Sequence, residues 1–132
     1  MKGSLLFTFT QIFRRSLISC AAPNLRKNTN NIFNTETGSA NTISDEDLYN
    51  LHLKRAKHIL TVAIDNDIDI IVLGAFGCGA FCNNPVCVAK ACAKALEECR
   101  GYFDLIEFAI FCRKFETENY ETFVKEFDAV FP

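Results

Sequence analysis

Ile68-Asp69-Ile70-Ile71-Val72-Leu73-Gly74-Ala75-Phe76-Gly77-Cys78-Gly79-Ala80-Phe81-Cys82-Asn83-Asn84-Pro85 is an apolar run that ends in a glycine-rich turn, followed by Asn-Asn-Pro. The run is β-branched on both faces apart from Asp69, as expected of a strand buried on both sides of a parallel sheet. Asn84 suits a helix N-cap and Pro85 the first helical position, so the stretch reads as strand, tight loop, helix. Such a junction gathers free backbone N–H groups and the positive end of a helix dipole at one point, which favours an anion.

The elements on either side follow from the same patterns. Val86, Ala89, Ala93 and Leu96 form the stripe of a helix that ends near Arg100-Gly101, and Leu105 to Cys112 is a second strand. The unit from Ile68 to Cys112 is therefore a βαβ crossover, whose strands run parallel, and ligands of such sheets bind beyond the carboxyl ends of the strands. Upstream, Ser44 with Asp45, Glu46 and Asp47 marks a helix start, and Tyr49, Leu53, Ala56, Leu60 and Ala63 give its apolar stripe as far as about Asn66. His52 and His58 lie off that stripe and read as solvated. Ser16 to Ala22 reads as a further strand stopped by Pro23, and Asn24 to Asn41 as a long polar loop. Asn119 to Phe131 reads as a last helix with Tyr120, Phe123, Val124 and Phe127 on one side.

Composition narrows the function classes. The chain has 132 residues, 49% of them hydrophobic and 13 of them Phe, which supports one globular domain. Its net charge of −2 divides into +5 before the first acid, Glu36, and −7 after it, a body that argues against a nucleic-acid surface. No apolar run approaches the roughly 20 residues of a membrane span. The basic start with its apolar patch Leu5 to Phe13 leaves organelle import open beside a cytoplasmic location. Seven cysteines without any C-x-x-C, and with neither histidine close by, read as buried filler in a reducing compartment; no metal or cofactor is expected.

Gly74, Gly77 and Gly79 remove side chains where a backbone must approach a ligand or adopt positive φ. No Gly-Lys-Ser/Thr follows them, so a nucleotide P-loop lacks its lysine, and a dinucleotide fingerprint fails because Cys82 stands where the third glycine belongs. A tight turn without a ligand is the plainer alternative.

LGAFGCGAFCNNPVCVAKA, beginning at Leu73, resembles the phosphate-binding loop and following helix of microbial-type poly(ADP-ribose) glycohydrolases, a branch of the macrodomains. Cys20-Ala21-Ala22-Pro23-Asn24-Leu25-Arg26 looks like that family's alanine-proline-asparagine strand end. Ile43 to Tyr49 with Lys54-Arg55-Ala56 looks like its next helix, and Ile106 to Cys112 is similar to its final strand. The resemblance implies an α/β fold over residues 16–132: a truncated, macrodomain-like, three-layer α/β/α arrangement on a small, mostly parallel sheet. Residues 1–15 remain an unassigned N-terminal segment. It also implies that the amides of Gly77, Cys78, Gly79 and Ala80 hold the diphosphate of ADP-ribose, that Phe81 packs on the ribose, and that Asn24 lines the same crevice.

The family is about twice as long, and its N-terminal half carries a triple-glycine loop followed by Gln-Glu-Glu, the acid/base pair for the glycosidic bond. This chain has no Gly-Gly-Gly and no Gln-Glu-Glu, and its Glu97-Glu98 pair lies at the far end of a helix from the loop. The expectation is therefore binding of ADP-ribose or its polymer without catalysis by this chain alone and with no catalytic residue assigned. The alternatives are half of an enzyme completed by another chain, or an inactive fragment. A half sheet leaves an open edge and apolar faces. Leu5 to Phe13, self-association, or pairing with the missing N-terminal half would cover them.

Overall fold

A computed structural model describes residues 16–26 and 43–131. The N-terminal patch Leu5 to Phe13 and most of the Asn-rich loop lie outside the described residues. Three helices and two strands follow one another as α1 (Asp45–Asp65), β1 (Ile70–Leu73), α2 (Pro85–Glu98), β2 (Leu105–Phe108) and α3 (Glu118–Asp128). The two strands are parallel, with Ile70 opposite Leu105 and Leu73 opposite Phe108. This is the expected α/β arrangement on a small parallel sheet.

The helix ends form where the sequence places them. Ser44 accepts a hydrogen bond from the Asp47 amide at 3.1 Å, and three acids fill the first turn of α1. Asn84 Oδ1 accepts from the Val86 amide at 3.0 Å, with Pro85 opening α2. Both strands are shorter than their apolar runs. Asp67 adopts φ +53 and the Ile68 amide donates to Ala63 at 3.1 Å, so Ile68 closes α1 rather than opening β1. β2 continues its ladder only through the Ala109 amide, 2.8 Å from Leu73 O, because β1 turns away at Gly74.

All three helices pack on one face of the sheet, so the described residues form two layers and not the expected three-layer α/β/α arrangement. Ile71, Leu73, Ile106 and Phe108 point into a core shared with Leu60 and Ala63 of α1, Ala95 and Leu96 of α2, and Phe127 of α3. α2 sits at its centre, and its alanines let α1 and α3 approach closely: Ala89, Ala91 and Ala95 are fully buried. Val86, expected in the buried stripe, is 37% exposed, while Cys87 and Val88 of the same turn are buried, so the inner face of α2 starts with them. On α3, Phe123 is buried while Tyr120 is half-exposed. The opposite sheet face is uncovered among the described residues, with Ile70 and Val72 58% and 59% exposed.

Two further sequence expectations need correction. Ser16 to Ala22 carries no regular secondary structure and forms no ladder with β1. A strand exists through its neighbour's hydrogen bonds, and none of the described residues supplies them. His52 is not solvated: it is 1% exposed. The buried residues of α1 include Leu48, His52 and Leu60, a four-residue spacing that places His52 on the inner face.

Candidate functional site

The loop between Gly74 and Asn84 stands at the carboxyl end of β1 and ahead of the α2 N-terminus. It is folded by its own backbone: Phe76 donates to Gly74 at 2.8 Å, Cys78 to Ala75 at 3.0 Å, Cys82 to Gly79 at 3.0 Å and Asn83 to Gly77 at 3.0 Å. Of the four amides expected to face a diphosphate, that of Cys78 is thus already engaged. Those of Gly77, Gly79 and Ala80, together with that of Phe81, have no backbone acceptor among the described residues. Gly79 and Ala80 are exposed. Successive free amides of this kind form an anion-binding concavity.

The glycines serve different ends. Gly77 holds φ +81, and a Cβ there would come within 2.8 Å of Asn83 Nδ2 and 2.9 Å of Ala22 Cβ. Its lack of a side chain is a requirement of the fold. At Gly79 a Cβ would meet nothing within 4 Å, and φ is not positive, so its bare backbone is not needed for folding.

Asn83, 2% exposed, fixes the loop from beneath. Its Nδ2 donates to Pro23 O at 2.7 Å, to Gly77 O at 2.9 Å and to Phe81 O at 3.2 Å. Its Oδ1 lies 2.8 Å from His52 Nε2, so the imidazole donates and Nε2 carries the proton. The ring of His52 also meets Phe76 edge-on at 5.6 Å. Burial, with a smaller contribution from the charge of Arg55, pulls the His52 pKa below its ordinary 6.5 against the opposing hydrogen bond to Asn83. Neither residue was expected at the site. The spacing Leu48, His52, Ala56, Leu60 was the available signal for His52; Asn83 offered none beyond its position before the cap.

The segment from Pro23 to Arg26 lies against the loop. The Leu25 amide donates to Phe81 O at 3.0 Å, and Asn24 Oδ1 accepts from the Arg26 amide at 3.3 Å and from its Nε at 3.1 Å. That turn sets the Arg26 guanidinium 5.3 Å from the centre of the Phe81 ring. Asn24 and Phe81 are therefore brought together as expected, with Arg26 as an additional cation beside them. Arg55 of α1 donates to Ala21 O at 2.6 Å and anchors the start of the same segment. Asn84 also donates to Asp45 Oδ1 at 3.2 Å, which brings the N-termini of α1 and α2 side by side.

Cys78 and Cys92, near the loop, are held protonated. Burial, with the neighbouring thiols as a lesser cause, pushes Cys78 up to about 12. Burial alone takes Cys92 to about 12. Among the described residues no group of three or more His, Cys, Asp or Glu could hold a metal, and no helix is long and apolar enough to cross a membrane. Glu97 and Glu98 are at the other end of α2, paired with Lys94 at 2.9 Å and Lys57 at 2.8 Å.

Among solved structures, this fold is similar to the poly(ADP-ribose) glycohydrolase of Deinococcus radiodurans. Its ADP-ribose complex in one crystal form matches with a TM-score of 0.60 and 30% identity, covering 64% of this chain and 34% of that one. The apo form matches with a TM-score of 0.60 and 30% identity over 64% and 35% of the two chains. The chain has a poly(ADP-ribose) glycohydrolase-like fold. A third structure, another ADP-ribose complex, gives a TM-score of 0.58 and 31% identity over 64% and 36%. The match thus spans about a third of the length of these glycohydrolases. No protein-family model matches the sequence, and no curated protein does.

Proposed function

We propose that this chain binds ADP-ribose through the Gly77–Phe81 loop and does not hydrolyse its polymer alone. The observation that carries the reading is the run of unpartnered amides at Gly79, Ala80 and Phe81, set ahead of a capped helix N-terminus and beside an aromatic ring. A diphosphate is stabilised by such donors without a lysine, and the half-buried ring of Phe81 suits a sugar. The similar glycohydrolase was solved with ADP-ribose bound, which supports the same ligand class here. Arg26 adds a positive charge at the rim, and Asn24 holds it there.

No carboxylate of the described residues stands ready for glycosidic acid/base work at the loop: Asp45 is engaged with Asn84, and the Glu97–Glu98 pair is remote. The motifs of this chain resemble those of the C-terminal half of a microbial-type enzyme, so a complementary chain carrying the glutamate loop is the second reading. It is favoured by the match to only about a third of the solved glycohydrolase. Titration calorimetry with ADP-ribose tests the binding reading: a saturable heat from the wild type, absent in Gly79→Val, is the expected result, and no heat from a folded wild type contradicts it. Release of ADP-ribose from polymer by the purified chain would contradict the non-catalytic part.

A further inference from the structure

A cleft of about 650 Å³ runs along the edge of β1 that does not pair with β2. Ser16, Leu17, Ile18 and Cys20 form one wall, and Ile70 and Val72 the other. Its floor is the apolar surface of α1, including Ala56, Ile59 and Leu60. The register decides what the β1 wall offers. Asp69 O and Leu73 O accept from β2, so Asp69, Ile71 and Leu73 direct their backbone groups to that strand. Ile70 and Val72 must then direct their N–H and C=O groups into the cleft. No backbone hydrogen bond joins residues 16–20 to β1.

An apolar small molecule or a lipid tail would leave those backbone groups unsatisfied, whereas an extended polypeptide satisfies them and fills the apolar floor together. We propose that residues 5–13 of this chain seat in the cleft as a strand paired with the free edge of β1. The inference does not rest on the ADP-ribose reading. Only Arg14 and Arg15 separate the segment from Ser16, itself part of the cleft wall, so its connection needs no long excursion. Nine residues span roughly 30 Å when extended, well beyond the four-residue edge of β1.

Its chemistry matches the two different sides of the slot. Leu5, Phe7, Phe9, Gln11 and Phe13 alternate with Leu6, Thr8, Thr10 and Ile12, so one polar residue, near the end of the segment, interrupts the phenylalanine row. An inserted strand would have one side on α1 and the other on the uncovered sheet face beside Ile70 and Val72. The phenylalanine row suits the first, and the threonine-containing row suits the second. No charge occurs from Gly3 to Phe13, while Lys2 on one flank and Arg14 and Arg15 on the other remain at the ends, in water.

Amide hydrogen exchange on the full chain, read residue by residue by NMR, tests this. Ile71, bonded to β2, is the internal reference for folding. In the wild type, the Ile70 and Val72 amides should be protected to within about tenfold of Ile71. In Phe7→Asp/Phe9→Asp they should exchange freely while Ile71 stays protected. Unprotected Ile70 and Val72 in the wild type would overturn the proposal, as would protection that survives the double substitution. Protection that appears only with dimerisation in light scattering would overturn it too, assigning the cleft to a second copy. Should the double variant unfold, the wild type decides alone. Nuclear Overhauser contacts from the Phe7 and Phe9 rings to Ala56 and Ile59 are expected, and their absence contradicts the seat.

Discussion

His52 Nε2 donates to Asn83 Oδ1 at 2.8 Å, and this buried bond ties the middle of α1 to the loop that carries the site. Asn83 then holds three carbonyls, those of Pro23, Gly77 and Phe81, from three points around the loop. Replacing Asn83 with Ala leaves Pro23 O and the imidazole without this partner, while Gly77 O and Phe81 O keep their backbone donors, the amides of residue 83 and Leu25. We expect a loss of about 2–4 kcal/mol in urea unfolding, because each buried unsatisfied group costs about 1–3 kcal/mol. Asn83→Asp should be no milder, as a carboxylate would face the same carbonyls without a donor.

The same pair makes stability depend on pH. His52 is held neutral in the fold, with its pKa lowered by burial, so the unfolded chain binds a proton more readily. The stability it confers is complete above its ordinary value of 6.5 and is lost as pH falls below that towards the folded-state value. The urea midpoint should therefore drop between about pH 7.5 and about pH 5.5. His52→Gln, which keeps a donor and cannot titrate, should flatten the drop over that range even if it lowers the midpoint at the upper end.

Gly77 and Gly79 should separate stability from binding. Gly77→Ala places a Cβ at φ +81 and against Asn83 Nδ2 at 2.8 Å, and should destabilise by about 1–3 kcal/mol. Gly79→Val meets open space and should change stability by less than about 0.5 kcal/mol, since surface changes away from special geometry have small effects. Its effect should fall on ADP-ribose binding, through crowding of the free amides. Urea unfolding and calorimetry on both variants check the split.

Arg26→Ala should weaken ADP-ribose binding by roughly threefold to tenfold, the range expected for one exposed cation beside an aromatic ring and an anion. The remaining affinity should depend less on salt, because an exposed charge is the part that ions screen. Binding measured at two ionic strengths gives both results.

Thiol reactivity offers a check on packing. Cys78 and Cys92, both pushed up to about 12 chiefly by burial, should react slowly with iodoacetamide in the native chain, and exposed Cys20 and Cys82 quickly. Peptide mass mapping of the native and urea-unfolded chain compares them.

Local signals were the legible ones. Ser44 and the Asn84-Pro85 pair announced two helix starts because capping depends on adjacent residues. The loop between β1 and α2 was readable for the same reason. Relations across the chain were not. His52 and Asn83 are 31 residues apart, and only tertiary packing turns two polar side chains into a buried support for the loop. Nor could the glycines be told apart in sequence: Gly77 is required by Asn83 and Ala22, and Gly79 by no neighbour. Ser16 to Ala22 has the composition of a strand, but a strand also needs a partner, and composition does not supply one.

The most direct test of the central claim is an NMR titration of the full chain with ADP-ribose, following backbone amides. The account predicts that the largest shifts fall on Gly79, Ala80 and Phe81, with smaller ones at the start of α2 and at Arg26. Shifts confined to residues elsewhere, such as Ile70 and Val72 at the free edge of β1, or no shifts from a folded chain, would contradict it.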